Sequence, residues 1–566
     1  METYDRLPIE PGLQRKHSVS IRRWFRSGDP WIWLSATAVG VSIVAVVGLI
    51  TLIAWKGLAH FWPADVHTIE YHDEWDEYVL VGEIAQRESI SRDLYQEFNP
   101  SDTELPPGSV RRWMMKTGNR KVNAPDFRWI DVHLIESKIQ DPNMVVFERS
   151  EWGNAYGTIV ELRESGQTIA VDDLWSELKR RVQRASSLRN TSEKLQKRSI
   201  DQINYQLERL RLQQRKRELR GNFETADLNT KQSELIQEYE LHEQSLREID
   251  EKLQRDQVVI RIANGSESII ELRDIEHLWR PNSMSFLSKF GHYVSTIWNF
   301  LTQDSREANT EGGIFPALFG TILMVILMSV LVTPFGVIAA VYLREYARQG
   351  TLVRLIRIAV NNLAGVPSIV YGVFGLGFFV YLIGGTIDDL FFEAAKPAPT
   401  FGTPGLIWAS LTLALLTVPV VIVSTEEGLT RIPSALREGS LALGATKAET
   451  LFKVVMPMAS PAMLTGVILA IARAAGEVAP LMLVGVVKLA PSLPIDGNFP
   501  FLHLDRKFMH LGFHIYDVGF QSPNVDAVRP LVFATALLLI LIIIVLNLTA
   551  ILLRNRLEAR YREALQ

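Results

Sequence analysis

The chain has 566 residues, of which 47% are hydrophobic and 22% are charged, and its formal net charge is −4. Long apolar stretches alternate with strongly charged ones, which indicates that one part of the chain faces lipid and another faces water. The charge balance argues against a nucleic-acid-binding protein, whose binding face is basic. Because the chain contains no cysteine, disulfides, thiolate metal sites and cysteine nucleophiles are excluded.

Membrane-spanning helices account for the apolar stretches. A hydrocarbon core about 30 Å thick needs roughly 20 apolar residues of helix. By this rule we predict an all-α polytopic membrane protein with six spans, at 31–55, 314–342, 358–383, 405–424, 462–488 and 530–553. The first follows a basic tail, 1–30, is too long for a signal-peptide core and lacks an obvious cleavage site. We therefore interpret it as a retained span.

Lysine and arginine gather beside particular spans, and this asymmetry sets the orientation of a membrane protein. The 343–357 loop is rich in arginine, whereas the 384–404 loop has Lys396 alone. We expect both termini, including the tail 554–566, and the loops 343–357 and 425–461 to be cytoplasmic. The basic residues behind this expectation are Arg15, Lys16, Arg22, Arg23, Arg26, Arg344, Arg348, Arg354, Arg357, Arg554, Arg556, Arg560 and Arg562.

The segment 56–313, called the insertion below, separates the first two predicted spans and is long enough for one or two soluble domains on the far side. Up to about residue 180, short β-like runs such as 143–147 and 157–162 predict an α+β or mostly β unit. Residues 259–282 are expected to return to this unit. The stretch 283–301 is amphipathic and aromatic, which fits a helix at a membrane surface.

Between 183 and 258 the composition changes to Gln, Glu, Arg, Lys and Leu, with a single glycine, Gly221. Apolar residues recur at coiled-coil spacings, and the break near Gly221 predicts an antiparallel hairpin of two helices. Two interpretations stay open: a solvated structural arm, or a docking surface for another protein. The periodic residues are Leu188, Leu195, Ile203, Leu207, Leu210, Leu235, Tyr239, Leu246, Ile249 and Leu253.

The 426–461 segment between the fourth and fifth predicted spans is long for a connector and holds helix-forming runs around a glycine. Its letters EGS from Glu438, a glycine at 444 and VVMP ending at Pro457 resemble the EAA loop of ATP-binding-cassette (ABC) importer permeases. The Glu, Gly and Pro keep the family spacing. The resemblance implies ATPase docking; an ordinary amphipathic connector is the alternative. The residues assigned to docking are Glu438, Gly439, Ser440, Gly444, Ala445 and Pro457.

Three further segments narrow the resemblance to the PstA family of phosphate-specific permeases. They are TPFGVIAAVYLREY at 333–346, NLAGVPSIVYGVFGL at 362–376 and RAAGEVAP at 473–480. The resemblance covers 31–55 and 314–560 and implies a type I ABC importer permease fold in a bacterial inner membrane. It does not cover the insertion, which would be a periplasmic α+β and coiled-coil domain, because most relatives join the first two spans by a short loop.

The resemblance also implies partners. The chain has no GxxxxGK[ST] phosphate-binding loop, so it is not expected to hydrolyse ATP by itself. The expected partners are a second permease of the PstC type, an ATPase dimer of the PstB type, a periplasmic phosphate-binding protein of the PstS type and membrane lipid. No nucleic acid and no cofactor are expected, and the histidines show no HExxH or clustered spacing for a metal.

Two charges, Arg473 and Glu477, interrupt the fifth predicted span. An ionisable group at the bilayer centre costs at least about 2.5–3.5 kcal/mol and nearly always faces a protein interior or a polar pathway. Four residues apart on one helix, the two side chains share a face and can pair. Guanidinium suits a tetrahedral oxyanion, since it stays charged and offers a planar fork of donors. We interpret the pair as an anion site in which phosphate displaces Glu477; the alternative is a static salt bridge.

Polar residues of the third predicted span are candidates for lining the pathway: Asn362, Ser368 and Tyr371, with Asn361 beside them. Each can instead cap a helix or bond to a neighbouring helix. One position departs from the family. Relatives often place a second arginine before a Ser-Thr-Glu near the end of the fourth span, and here that position is Val423.

Other functions stay open at this stage. A permease of the same fold for another oxyanion, such as sulfate or molybdate, would share most of these features. A membrane scaffold or sensor acting through the periplasmic coiled coil is the alternative from another class. A pure anchor, however, needs neither a docking loop nor a charge pair within a span. A proton-coupled transporter would explain Glu477 but not the docking loop.

Overall fold

The computed structural model describes residues 28–72, 77–98, 108–120, 126–222, 226–306, 310–522 and 525–565, so nearly all of the predicted basic tail 1–30 lies outside the described residues. Six described helices are long and apolar enough to span a membrane, which confirms the predicted number. These spans, numbered first to sixth below, are Pro30–Ala59, Phe315–Tyr346, Ser368–Phe391, Leu406–Thr430, Lys447–Gly476 and Val528–Arg556. The chain forms two compact units, Met1–Lys56 and Gly57–Gln566.

The third span begins later than the sequence predicts. Residues 358–363, expected at its start, belong to a separate amphipathic helix, Thr351–Leu363, and the span begins at Ser368 directly after Pro367. A residue that precedes proline is disfavoured in the α conformation, so one helix ends before Pro367 and the next begins after it. Its middle, Gly375–Gly384, is π-helical and leads into Gly385–Phe391.

The fourth span is the most buried of the six and packs between the second and the fifth. Its polar side chains do not break the apolar core, because the hydroxyls of Ser410, Thr412 and Thr417 each donate to the carbonyl four residues earlier. The helix of the sixth span runs Val525–Leu565, so the described part of the predicted tail 554–566 continues this helix.

The insertion contains two large antiparallel sheets and a small one of two strands, Ser305–Arg306 with Glu311–Gly312, which confirms the predicted α+β unit. The first has the order β4-β3-β2-β1-β5 and the second β10-β9-β7-β6-β11, with β8 paired to β7. Residues 259–282 return to the unit as predicted, since β9, β10 and β11 complete the second sheet. The strands are Val66–His72 (β1), Glu77–Ser91 (β2), Ser109–Lys116 (β3), Phe127–Asp131 (β4), Ile135–Ile139 (β5), Val145–Arg149 (β6), Asn154–Glu164 (β7), Gln167–Thr168 (β8), Asp256–Arg261 (β9), Glu267–Glu271 (β10) and Ile275–Trp279 (β11).

A helical hairpin, called the arm below, extends from the second sheet. It consists of Leu174–Leu195, a π-helical turn, Asp201–Leu219 and the returning helix Ala226–Gln254. Gly221, with a φ of +75°, follows the outgoing helices near the predicted break. The helices begin and end earlier than 183–258, because Asp173 caps the first turn and Asp256 already belongs to β9. The coiled-coil packing itself stays a prediction.

The arm is fixed at its base and reaches the membrane part with its middle helix. At the base, the guanidinium of Arg181 lies 2.6 Å from the buried carboxylate of Asp256. Farther along, the hydroxyl of Tyr205 donates to the carbonyl of Phe499, and its ring contacts His503 at 6.0 Å between centroids. The helix Asp201–Leu219 also packs against the short turn Glu393–Ala395. The arm therefore touches the loops that follow the third and the fifth spans.

Candidate functional site

The helix of the fifth span ends at the predicted charge pair, so the single helix predicted through residue 488 is wrong. The helix Met456–Gly476 ends because Glu477 adopts an extended backbone, with φ −81° and ψ 129°. A short helix, Ala479–Val484, begins two residues later with Pro480 in its first turn, where the missing N–H of proline costs nothing. Backbone without helical hydrogen bonds is tolerated at membrane depth only where it is covered by protein or lines a cavity.

Arg473 and Glu477 form the expected pair, but not by the helical geometry that predicted it. Nε of Arg473 lies 3.7 Å from Oε1 of Glu477, although Glu477 stands beyond the end of the helix. At this distance the two side chains form an ion pair but no hydrogen bond. The two opposite charges attract each other, but the N–H groups of Arg473 donate no hydrogen bond to Glu477. Both side chains are partly accessible, at 31% and 22%.

The third span packs directly against this break. A Cβ added to Gly372 would lie 2.7 Å from Cα of Pro480, so the two backbones meet where a side chain has no room. The hydroxyl of buried Tyr371 donates to the carbonyl of Leu363 at 2.6 Å. Tyr371 directly precedes Gly372, so it lies next to the contact with Pro480, and its hydroxyl closes the end of the preceding helix.

The other predicted lining residues lie apart from the pair. Asn362 is exposed in the last turn of Thr351–Leu363, and Ser368 is half-buried at the start of the third span. Within the described residues, no hydrogen bond joins either side chain to Arg473 or Glu477. Asn361 instead lines a separate cavity.

That cavity, of about 520 Å³, lies between the helix Thr351–Leu363 and the end of the fourth span. Arg357 reaches into it, with Nε 3.2 Å from Oε1 of Glu426 and Nη1 3.0 Å from Oε1 of Gln349. Val423, where the family resemblance leads us to expect an arginine, lines the same cavity. Sequence reasoning used Arg357 only for orientation and missed its pairing, because Glu426 is 69 residues away and no local spacing links them.

The predicted docking segment forms a compact helical loop. Ser434–Ala442 is a helix, and Gly444 turns the chain with a φ of +88°, in the left-handed region that favours glycine. Thr446 and Glu449 form a capping box that starts the next helix, which continues through a π-helical stretch into the span containing Pro457. Glu438 and Gly439 are exposed, whereas Ser440 lies 2.9 Å from the hydroxyl of Thr450. The amide of Ala445 donates to the carbonyl of Ser440.

Arg437, which sequence reasoning did not single out, attaches this loop to the spans. Its guanidinium donates to the carbonyl of Leu429, at the end of the fourth span, at 2.7 Å and to that of Ile432 at 2.8 Å. It also lies 2.9 Å from the carboxylate of Glu345, at the end of the second span. Arg437 therefore connects the loop to the ends of two spans.

Six candidate spans, a fifth helix that ends at a charge pair and a helical loop attached to the spans are the features of a polytopic membrane protein. The chain belongs to the family of binding-protein-dependent transport system inner membrane components, which matches residues 332–563. It is 34% identical over 270 residues to the phosphate transport system permease protein PstA 1 of Mycobacterium tuberculosis (strain ATCC 25618 / H37Rv), covering 47% of this chain and 78% of that relative.

Other relatives agree with this assignment. The chain is 34% identical over 250 residues to PstA of Yersinia pestis, covering 44% of this chain and 75% of that relative. It is 37% identical over 218 residues to PstA of Mycobacterium leprae (strain TN), covering 38% of this chain and 66% of that relative. Among solved structures, the MetNI methionine ABC transporter aligns with a TM-score of 0.32 and 19% identity, covering 46% of this chain and 98% of that chain.

Proposed function

We propose that this chain is the transmembrane permease subunit of an ATP-driven importer that moves inorganic phosphate across the inner membrane. The observation that carries the proposal is the broken fifth span, where Arg473 and Glu477 stand 3.7 Å apart. A broken helix at membrane depth is a common place for a substrate site in transporters. The names of the PstA relatives favour phosphate among the oxyanions.

Phosphate exchanges with Glu477 in this proposal. Between transport events the carboxylate neutralises Arg473, which keeps an unpaired charge out of the membrane. An arriving phosphate offers two oxygens to the guanidinium fork, a geometry the carboxylate does not use at 3.7 Å. The partial exposure of both side chains gives the anion access. Asn362 and Ser368 would line the pathway only if the spans rearrange, whereas Tyr371 directly precedes Gly372, which packs against Pro480 beyond the charge pair.

ATP hydrolysis by the partner ATPase drives transport in this proposal, and it acts on the 426–461 segment, called the docking loop below. Glu438, Gly439 and the turn at Gly444 are exposed for contact with a PstB-type ATPase dimer. Because Arg437 links this loop to Leu429 and Glu345, closure of the ATPases would pull on the second and fourth spans. A PstC-type second permease and a PstS-type binding protein complete the proposed complex, in which two permeases alternate around the site.

The insertion faces the periplasm and both termini face the cytoplasm in this arrangement. The contacts of the arm support this orientation, since the arm touches the loops after the third and fifth spans. Those two loops must lie on the same side of the membrane as the insertion. The docking loop, which follows the fourth span, then lies on the opposite side.

The test is phosphate uptake by cells that carry the complete complex with Arg473→Gln. Loss of the charge-assisted bonds is expected to reduce uptake roughly tenfold to a hundredfold. Arg473→Lys, which keeps the charge and loses the fork, should fall between the wild type and Arg473→Gln. The exposed Arg348→Gln is the matched control. Membrane levels and ATPase copurification must equal those of the wild type.

Two outcomes would contradict the proposal. Unchanged uptake by Arg473→Gln would make the pair a packing contact. Competition of uptake by sulfate or molybdate at concentrations equal to those of phosphate would assign another oxyanion. A permease for another oxyanion stays the second candidate. Val423, which lines the cavity at Arg357, stands where the family resemblance leads us to expect an arginine.

A further inference from the structure

The helix Phe286–Thr302 joins the insertion to the second span, and one of its faces is fully used in packing. The buried ring of Phe300 lies 5.0 Å from that of Phe61. Nδ2 of Asn299 lies 3.1 Å from Nε2 of His277, on strand β11. Lys289 pairs with Asp65. This face therefore holds the helix against the folded insertion and the ends of the spans.

The opposite face is apolar and uncovered in the described part of the chain. Leu287 is 79% exposed and Trp298 66% exposed, and the helix carries no acidic residue. Its one lysine is already paired with Asp65. The spacing of four residues along most of this face makes a continuous stripe on one side of the helix. The stripe, as we call it below, consists of Phe286, Leu287, Phe290, Val294 and Trp298.

The helix ends beside the ends of the second and sixth spans. Phe300 belongs to the same buried cluster as Ile314, which directly precedes the second span, and Leu531, in the first turn of the sixth. The amide of Ile314 donates to the carbonyl of Phe300 at 2.7 Å. The helix that carries the stripe is thus fixed to the ends of two spans and cannot move independently of them.

A polar edge borders the stripe. Ser288 and Ser295 are exposed on one side of it. On the other side Trp62 contacts the rings of Phe286 and Tyr293, both at 5.7 Å between centroids. Aromatic residues beside small polar ones are typical of the membrane–water interface, where one end of a side chain is apolar and the other wet.

We propose that Phe286–Thr302 lies in the lipid interface of the leaflet on the insertion side, with its stripe among the acyl chains. The helix thereby seats the β-sheets of the insertion on the membrane. The occupant of the stripe is phospholipid, because the exposed side chains are apolar and the helix that carries them packs against the ends of the second and sixth spans. The alternative occupant is a partner protein, and the measurement described below distinguishes it from lipid.

Site-directed spin labelling tests this placement, since the native chain has no cysteine to remove. Val294→Cys places a nitroxide on the stripe, and Ser295→Cys places one on the polar edge one residue away. Each full-length chain is reconstituted into vesicles of phosphatidylethanolamine and phosphatidylglycerol. Accessibility to oxygen, which concentrates in lipid, and to a water-soluble nickel complex is then measured at both positions.

At position 294 the ratio of oxygen to nickel accessibility is expected to exceed that at 295 several-fold. Equal nickel accessibility at the two positions would place the stripe in water and overturn the proposal. Shielding of 294 from both reagents would show a protein contact and overturn it as well. Trp298→Cys gives a second stripe position in case the first variant reconstitutes poorly. The readout does not depend on transport, so it stands or falls independently of the proposed function.

Discussion

Asp496 organises the 487–508 loop, which follows the broken fifth span. Its Oδ1 accepts the amide of Asn498 at 2.8 Å and lies 2.9 Å from Nε2 of His503, while Arg506 lies 2.7 Å from Oδ2. Burial by itself would raise the pKa of Asp496. The backbone amide and the two basic side chains outweigh burial and lower this pKa from 3.8 to about 2. One carboxylate therefore closes the loop that the arm contacts.

We predict that Asp496→Asn lowers the melting temperature of the chain in detergent in a pH-dependent way. Because the folded-state pKa is depressed, the carboxylate stabilises the fold fully above its ordinary pKa of 3.8 and loses this effect as pH falls through about 2. The difference in Tm between wild type and variant should thus be largest near pH 6 and shrink between pH 4 and 2. The exposed Asp172→Asn is the control. A difference that does not change with pH would contradict the assignment.

The docking loop shows how an element depends on one backbone angle. Gly444 has a φ of +88°, and an added Cβ would meet no atom within 4 Å, so any cost of a side chain there is conformational. Gly439 lies inside the helix Ser434–Ala442 and has equally open surroundings. The two glycines therefore form a matched pair that differs in backbone conformation alone.

Gly444→Ala is expected to destabilise the loop by about 1–2 kcal/mol, because an L-residue is strained in the left-handed region. Local opening should then speed amide hydrogen exchange across 440–450 about tenfold. Gly439→Ala should leave exchange unchanged or slow it, since alanine favours a helix by about 1 kcal/mol over glycine. Equal effects of the two substitutions would show that the turn does not control the stability of the loop.

At the scale of the whole molecule, the arm joins the insertion to the membrane part. Its base shares a core with the second sheet, in which Ala185 and Leu253 are buried. Its middle helix reaches the 487–508 loop through Tyr205. An excision must therefore spare the base, and 197–246 is the part that can be removed without opening the core of the sheet.

Replacing 197–246 by a short glycine-rich linker is expected to leave the chain in the membrane fraction at wild-type levels. Amide exchange in the 487–508 loop should become faster, because the contacts of the arm with Phe499 and His503 are lost. Tyr205→Phe, which removes the hydroxyl and keeps the ring, should give a smaller change. Loss of the shortened chain from the membrane would contradict the modular role of the arm.

The sequence alone determined the number of spans, the α+β insertion and the helical hairpin. These properties depend on local information: the length of apolar runs, the alternation of strands and the periodicity of leucine. It also determined that Arg473 and Glu477 pair, because two opposite charges in an apolar setting need each other. The helix-forming runs around Gly444 are local information too, and the structure places this glycine between two helices with a φ of +88°.

Only the tertiary structure decided which residues far apart in sequence come together. The pairing of Arg357 with Glu426, the attachment of Arg437 to Glu345 and the contact of Tyr205 with Phe499 each join separate helices or loops. Gly476 and Pro480 are local signals for an interruption of the apolar run, but where the helix ends and how the third span packs against Pro480 were decided by the tertiary structure. Such contacts depend on how helices pack, which no local spacing specifies.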